Sequence, residues 1–326
     1  MPVLTASLPC QYNVSMLRTI CAIYLTALCA AGCASLARAP TPIVRRVPVS
    51  ASPTPASQPA QPHNVPNRLS RPALAATRSS TFGATPAANF NAPIVYGESF
   101  EGRPLAAYRL GYGPVRRALI GGLHGGYEWN TTVLMSKTLE YLTASPDSIP
   151  EELTLYIIPL ANPDGAAAGS DRVAGRMNGN GVDLNRNWDY RWQITATHGV
   201  YPVGTGAFSF SEPETAALRD FILGRGIGAA IFYHSAAAEV YSGAGTDTSG
   251  TVALAETLAA KTGYRYAPEG IPGQITTGNA IDWLTTQGIT AVEIELPTHA
   301  GIDWEPNLKA ILAFMSWSLS STLTAE

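Results

Sequence analysis

The sequence predicts an α/β domain in which a β-sheet is covered by helices on both faces. Short runs rich in aliphatic and β-branched residues recur from Pro93 onward, and amphipathic stretches separate them. Polar residues gather where the apolar runs end, which is where ligands bind in open α/β sheets. The predicted strands are Ile94 to Tyr96, Leu105 to Leu110, Arg117 to Gly122, Leu153 to Leu160, Gly228 to Tyr233 and Ile289 to Leu296. The predicted helices are Thr131 to Leu142, Glu212 to Leu223, Thr251 to Lys261, Ala280 to Gln287 and Asn307 to Ser320. Ser211-Glu212-Pro213-Glu214 reads as a capping box, with Ser211 as the N-cap and Glu214 as its reciprocal partner.

Composition bounds the rest. Of 326 residues, 46% are hydrophobic and 14% charged, which supplies a sizeable core. The net charge of −3 gives no electrostatic case for nucleic acid or for an anionic membrane surface. The four cysteines, Cys10, Cys21, Cys29 and Cys33, all lie near the start, so any metal in the body must be held by His, Asp or Glu. Leu17 to Ala31 is an apolar run with Arg18 near its start and small residues at its end, the pattern of an export leader, with Met16 an alternative start. Ala30-Ala31-Gly32 before Cys33 resembles a bacterial lipobox, although Ala30 stands where Leu is usual. Cleavage near Ala34 without lipidation, or an uncleaved anchor, are the alternatives. The expected organisation is a leader over 1–35, a Pro/Ala/Ser-rich disordered linker over 36–92 and a catalytic body over 93–326. The expected location is periplasmic or extracellular, with lipid anchoring at Cys33 and membrane contact through that anchor alone.

Three strand ends carry candidate metal chemistry. Leu119 to Gly122 delivers His124 into a glycine turn, and Glu128 follows four residues later. Ala230 to Tyr233 ends in His234. A catalytic zinc takes three such ligands and leaves a fourth position open. Ala291 to Leu296 carries Glu293 and Glu295, which share one face by alternation. Carboxylates in an apolar strand are costly to bury without a partner, and one beside a metal site suits proton transfer. Alternation does not choose between them.

Between the histidines lie Asn162-Pro163-Asp164-Gly165 and Gly181-Val182-Asp183-Leu184-Asn185-Arg186-Asn187-Trp188. With the later His234-Ser235, Ile281-Asp282-Trp283 and Glu295-Leu296, the chain from about Pro93 to Ser320 resembles the carboxypeptidase A family of zinc peptidases. The resemblance implies a mixed, roughly eight-stranded twisted sheet with helices on both faces, and one zinc ion per chain. It implies His124, Glu128 and His234 as metal ligands and Glu295 as general base, with Glu293 the alternative. It implies Asn185 and Arg186 as the grip on a substrate carboxylate, a task that suits the planar guanidinium fork. Arg176 matches the group that stabilises the oxyanion, with Arg172 the alternative, and Asp164 is a candidate to orient His124.

Two features depart from the family pattern. The family spacing is His-x-x-Glu, whereas here three residues separate His124 from Glu128, and Gly125-Gly126 are expected to absorb the extra one. Gln274 stands where digestive members carry a substrate-covering Tyr, so Tyr241 or another residue would have to serve. Ile281 lies in the segment expected to line the specificity pocket, where the sequence offers no obvious acidic group. The implied activity is hydrolysis of an amide bond at or near the C-terminus of a peptide, a cell-wall stem peptide among the candidates, by a monomer. The alternatives are deacylation of N-acyl amino acids, or an inactive peptide-binding envelope lipoprotein.

Overall fold

The computed structural model describes residues 92–245, 248–270 and 276–317, all within the compact unit Ser80–Glu326. The expected leader, the expected linker as far as Asn91, Gln274 and the predicted end of the last helix at Ser320 lie outside the described residues. The chain begins with β1 (Ile94–Glu98), β2 (Pro104–Leu110) and β3 (Val115–Ile120), then α1 (Trp129–Ala144) and β4 (Leu153–Ile158). A short helix α2 (Pro163–Ala167) and a hairpin of β5 (Ala196–His198) and β6 (Tyr201–Val203) precede α3 (Pro213–Gly224). Then come β7 (Ala229–Ser235), β8 (Glu239–Ser242), α4 (Ser249–Thr262), β9 (Arg265–Tyr266), α5 (Ala280–Thr286), β10 (Thr290–Leu296) and α6 (Trp304–Ser316).

Eight strands form one sheet in the order β1-β2-β4-β3-β7-β10-β8-β9. The central pairs β4/β3, β3/β7 and β7/β10 are parallel, whereas β1/β2, β2/β4 and β10/β8 are antiparallel, so the sheet is mixed. Strand alternation sorts its side chains into two cores. Ala118, Ile120, Ala230 and Phe232 face α3 and α5, where Leu218, Ile222 and Trp283 are buried. Leu119, Ile231, Tyr233 and Val292 face α1, α4 and α6, where Leu134, Leu254 and Ile311 are buried. β4 and β7 are buried along their whole length, as parallel strands covered on both faces must be.

The predicted strands and helices each form, with ends shifted by a few residues. β8 and β9, which complete the count of eight, were not predicted; they are short and their alternation is too brief to read. The capping box does not form. Glu212 is the N-cap of α3, and Ser211 Oγ donates to the Glu212 carboxylate instead of accepting a helix N–H. Glu214 instead receives Phe100 N at 2.9 Å and Asn178 Nδ2 at 3.0 Å. Tertiary donors displace the local cap.

Candidate metal centre and substrate cavity

β3 and β7 are adjacent and parallel, so their C-terminal ends open at the same edge of the sheet. His234 lies on β7, and Gly121 to Glu128 follow β3 as a tight turn leading into α1. Gly125 has φ +45°, and a Cβ there would come within 2.6 Å of the backbone of Gly165 and Ala166. A Cβ on Gly126 would meet the Gly169 carbonyl at 2.2 Å. The turn thus lies flat against the Asn162-Pro163-Asp164-Gly165 segment, at a distance only glycine permits. Tyr127, the additional residue, turns away from the ligands and packs on His299, with ring centroids 4.6 Å apart. Glu128 points inward.

His124, Glu128 and His234 are all buried, and their ligand atoms lie within 4.8 Å of one another. His124 Nδ1 is 2.8 Å from Glu128 Oε1, His234 Nδ1 is 2.9 Å from Glu128 Oε2, and the two Nδ1 atoms are 3.0 Å apart. Donors about 2.0–2.1 Å from a tetrahedral zinc stand roughly 3.3 Å from each other, so this triangle has nearly the size that one ion needs. Two imidazole nitrogens facing each other cannot both be satisfied as acceptors, which a shared cation resolves. The His₂Glu donor set and its spacing fit zinc. Burial alone would raise the Glu128 carboxyl, but His124 and His234 outweigh it and hold it well below the usual range. Burial pulls His234 down, yet Glu293 and Glu128 lift it to about 9.

Asp183 is the carboxylate that orients His124, from 3.1 Å at Nε2. It also receives Arg176 Nε at 2.8 Å and Asn185 N at 2.9 Å, so one buried carboxylate positions two side chains and the Asn185 backbone. Burial raises Asp183, but the neighbouring Arg176 and His124 charges outweigh this and hold it well below the usual carboxylate range. The expectation of Asp164 in this role is corrected. Asp164 receives Ser99 Oγ, Arg103 and Glu101 N, and so ties down the β1–β2 turn. Asn162 caps α2 by accepting Gly165 N and donates to the Arg176 carbonyl at 3.2 Å, which fixes the backbone beside the metal turn.

A cavity of ≈ 720 Å³ opens over the triad and is lined by Arg176, Asn185, Arg186, Glu293 and Glu295 among others. Every predicted site residue therefore meets in one place. Arg176 Nη1 lies 3.3 Å from Glu128 Oε1, held by a buried pair with Asp183. Arg172 also lines the cavity but stacks on Tyr201 at 3.6 Å. Arg186 is buried without a carboxylate within ion-pair distance among the described residues; its Nη1 donates to Asn185 O at 2.8 Å. Burial lowers its pKa. Asn185 Oδ1 accepts Ala280 N at 3.0 Å, and its Nδ2 points toward Glu293 Oε2 at 3.4 Å.

Register separates the two glutamates of β10. Glu295 is level with His234 on β7, and Glu293 is one pleat away, level with Phe232. Glu295 Oε2 is buried with no hydrogen-bond partner. Burial, then the Glu128 and Glu293 charges, push the Glu295 carboxyl well above its usual value. Tyr241 lines the cavity from β8, largely buried, with its hydroxyl donating to Glu239. Ile281 lines the cavity as expected, but the expectation of no acid there is corrected, since Asp282 and Glu293 line it too.

Sequence reasoning missed a second ring of support. Asn130 Nδ2 donates to Thr298 O at 2.7 Å and Gly301 O at 2.8 Å, and Ser235 Oγ bridges Asn130 Oδ1 and His299 Nδ1. These contacts join the metal turn, the end of β7 and the chain beyond β10. His198 also lines the cavity, and burial, then Arg176 and His124, push it down to about 4. A polar residue one or two positions after a ligand was the available signal for Ser235 and Asn130; His198 and His299 carried none.

Residues 87–302 match the family profile described as Zinc carboxypeptidase. The chain is similar to Zinc carboxypeptidase A 1 of Anopheles gambiae, 33% identical over 43% of this chain and 36% of that one. It is similar to Murein peptide amidase A of Escherichia coli K12, 34% identical over 39% of this chain and 52% of that one. These matches span about a third to a half of the relatives' length. The fold is shared with murein-tripeptide amidase of Escherichia coli O157, with a TM-score of 0.53 at 22% identity over 72% of this chain and 97% of that one. Bovine thrombin-activatable fibrinolysis inhibitor in complex with tick carboxypeptidase inhibitor gives a TM-score of 0.61 at 20% identity over 72% and 92%. With a profile match over most of the described body and a His-Glu-His group able to hold one metal ion, the chain belongs to the zinc carboxypeptidase family.

Proposed function

We propose that this protein is a zinc-dependent peptidase that hydrolyses the amide bond at or near the C-terminus of a peptide, with cell-wall stem peptides as the candidate natural substrate. The observation that carries the reading is Arg186: a buried guanidinium without an acidic partner among the described residues, lining the cavity that holds the metal ligands. A free carboxylate is the group its fork pairs with best. Asn185 beside it offers further hydrogen bonding. The resemblance to two murein peptide amidases supports the stem-peptide candidate. The leader and lipobox pattern supports an exported protein tethered at Cys33.

His124, Glu128 and His234 would hold the zinc, which when bound polarises the scissile carbonyl and acidifies water. Asn185 and Arg186 fix the terminal carboxylate and so set the register of the scissile bond. Glu295 takes a proton from the attacking water and delivers it to the departing amine nitrogen as the C–N bond breaks. Its unpartnered Oε2 supports this, since no other hydrogen bond competes for that atom. Arg176, locked by Asp183 with its Nη1 3.3 Å from Glu128 Oε1, places a cation beside the metal ligands that would offset negative charge developing on the carbonyl oxygen. The longer His124–Glu128 spacing was the feature favouring an inactive peptide binder. The inward Glu128 carboxylate, shared between two imidazoles, removes that support.

The test is digestion of a peptide library and of muropeptides by the purified full chain, with products identified by mass. Release of single C-terminal residues or C-terminal fragments that stops with chelator and returns with zinc is expected. Metal-independent cleavage, or no cleavage by zinc-loaded protein, rejects the reading.

A further inference from the structure

We propose that a second cavity, at the edge of the sheet opposite the metal ligands, binds a phosphoryl group. It has a volume of ≈ 310 Å³ and is lined by Arg109, Tyr112, Arg116, Thr154, Tyr156 and Arg225, together with Gly113 and Gly224. β3 and β4 run parallel, and Arg116 pairs with Thr154 where the two strands begin. His124 follows the far end of β3, and the run from Arg116 to Ile120 alone spans about 13 Å. Arg109 on β2 is level with Tyr156 on β4, so Arg109 and Arg116 flank β4 on one face of the sheet. Arg225, the residue after α3, adds a third guanidinium.

No carboxylate lines this cavity, and none stands within ion-pair distance of the three arginines among the described residues. Arg103, Arg219 and Arg265, by contrast, each pair with an acidic side chain. Neutral groups hold the cavity arginines. The guanidinium carbon of Arg109 lies 4.3 Å from the Tyr112 ring centre, and that of Arg225 lies 5.4 Å from the Phe221 ring centre. Arg116 Nη1 donates to the Arg225 carbonyl at 3.0 Å. Gly226 follows at φ +60°, and a Cβ there would stand 3.2 Å from Arg116 Nη1. These contacts fix the guanidinium groups without neutralising them. Three permanent positive charges around one cavity repel one another, in a chain whose net charge is −3. A multiply charged anion offsets that repulsion. A phosphoryl group turns three oxygens in different directions, one toward each fork, whereas a carboxylate offers two in one plane. The same chemistry is carried by soluble phosphoryl compounds and by lipid headgroups.

The inference is independent of the peptidase reading, because the two cavities share no lining residue. The competing explanation is that the arginines serve only solubility and packing. Inorganic phosphate is titrated calorimetrically into zinc-loaded full-length protein freed of excess zinc. Saturable binding of one phosphate per chain is expected, and it persists in Arg186→Gln, which removes the grip in the metal cavity. It weakens about tenfold or more in Arg116→Gln and in the double variant Arg109→Gln/Arg225→Gln, while peptide hydrolysis stays at the parent rate. The Arg116 side chain is exposed, so its variant keeps the test open if the double variant fails to fold. Absence of saturable binding overturns the proposal. So does displacement by acetate on equal terms, or binding that survives the arginine substitutions. Vesicles then distinguish the sources. Retention on phosphatidylglycerol but not phosphatidylcholine vesicles, lost in Arg116→Gln, assigns a lipid headgroup; phosphate binding without retention on vesicles assigns a soluble phosphoryl compound.

Discussion

The turn that carries Glu128 and the strand that carries Glu293 and Glu295 both present carboxylates to the same cavity, but by different means. In the turn, aim is set by close backbone contact. Gly125 and Gly126 lie against Gly165, Ala166 and Gly169, and one additional residue is accommodated by swinging Tyr127 outward onto His299. In the strand, aim is set by the pleat. Glu293 and Glu295 share a face whatever surrounds them, and pairing with β7 decides which one stands level with His234. An irregular turn can absorb a change in spacing; a strand cannot, because a one-residue slip would turn both glutamates into the opposite core.

The largest expected effect comes from breaking the strand's contribution. Glu295→Gln should lower kcat by about 10²–10⁴-fold while zinc content stays at one per chain. Activity within a few fold of the parent would transfer the proton-handling role elsewhere, Glu293 being next in line. A smaller effect tests how the turn's first ligand is held. Asp183→Asn preserves shape but removes the charge facing His124 and Arg176, and zinc affinity measured against a competing chelator should fall about 10–100-fold. An unchanged affinity would mean that the turn alone orients His124. Full removal, as in Asp183→Ala, leaves the buried Arg176 with only its longer contact to Glu128, at a cost of about 3–5 kcal/mol in folding. The smallest effect addresses the glycine contact. Gly126→Ala places a methyl 2.2 Å from the Gly169 carbonyl, so the backbone must shift. A loss of about 1–3 kcal/mol in denaturant unfolding is expected, with weaker zinc retention. If stability falls and zinc affinity does not, the turn and Glu128 move independently, and the comparison between turn and strand fails.

Much of this molecule was legible in its sequence. The long strands and helices announced themselves by period, since each is amphipathic or wholly apolar over enough residues for the pattern to show. His124 and His234 stood out as polar ends to apolar runs, and Glu293 with Glu295 as charges in an apolar strand. Asp183 was legible as part of a motif but not in its role. That role needs His124, which is 59 residues away in sequence and 3.1 Å away in space. The capping box at Ser211 failed for a related reason, because Glu214 found Phe100 N and Asn178, groups that no local window contains. Asn130, Ser235 and His299 carry the support of the metal turn through contacts spanning 64 to 171 residues.

Local periodicity and residue chemistry determined, without coordinates, that the body is a covered sheet with two histidines and three acids aimed at one edge. Those properties belong to single segments, where alternation and apolar burial act over a few residues. Register across the sheet decided that Glu295 stands level with His234 and Glu293 level with Phe232. The meeting of distant loops decided that Asp183, rather than Asp164, holds His124. Such outcomes depend on the free energy of contacts between segments brought together by the whole core, and no stretch of sequence contains that information by itself.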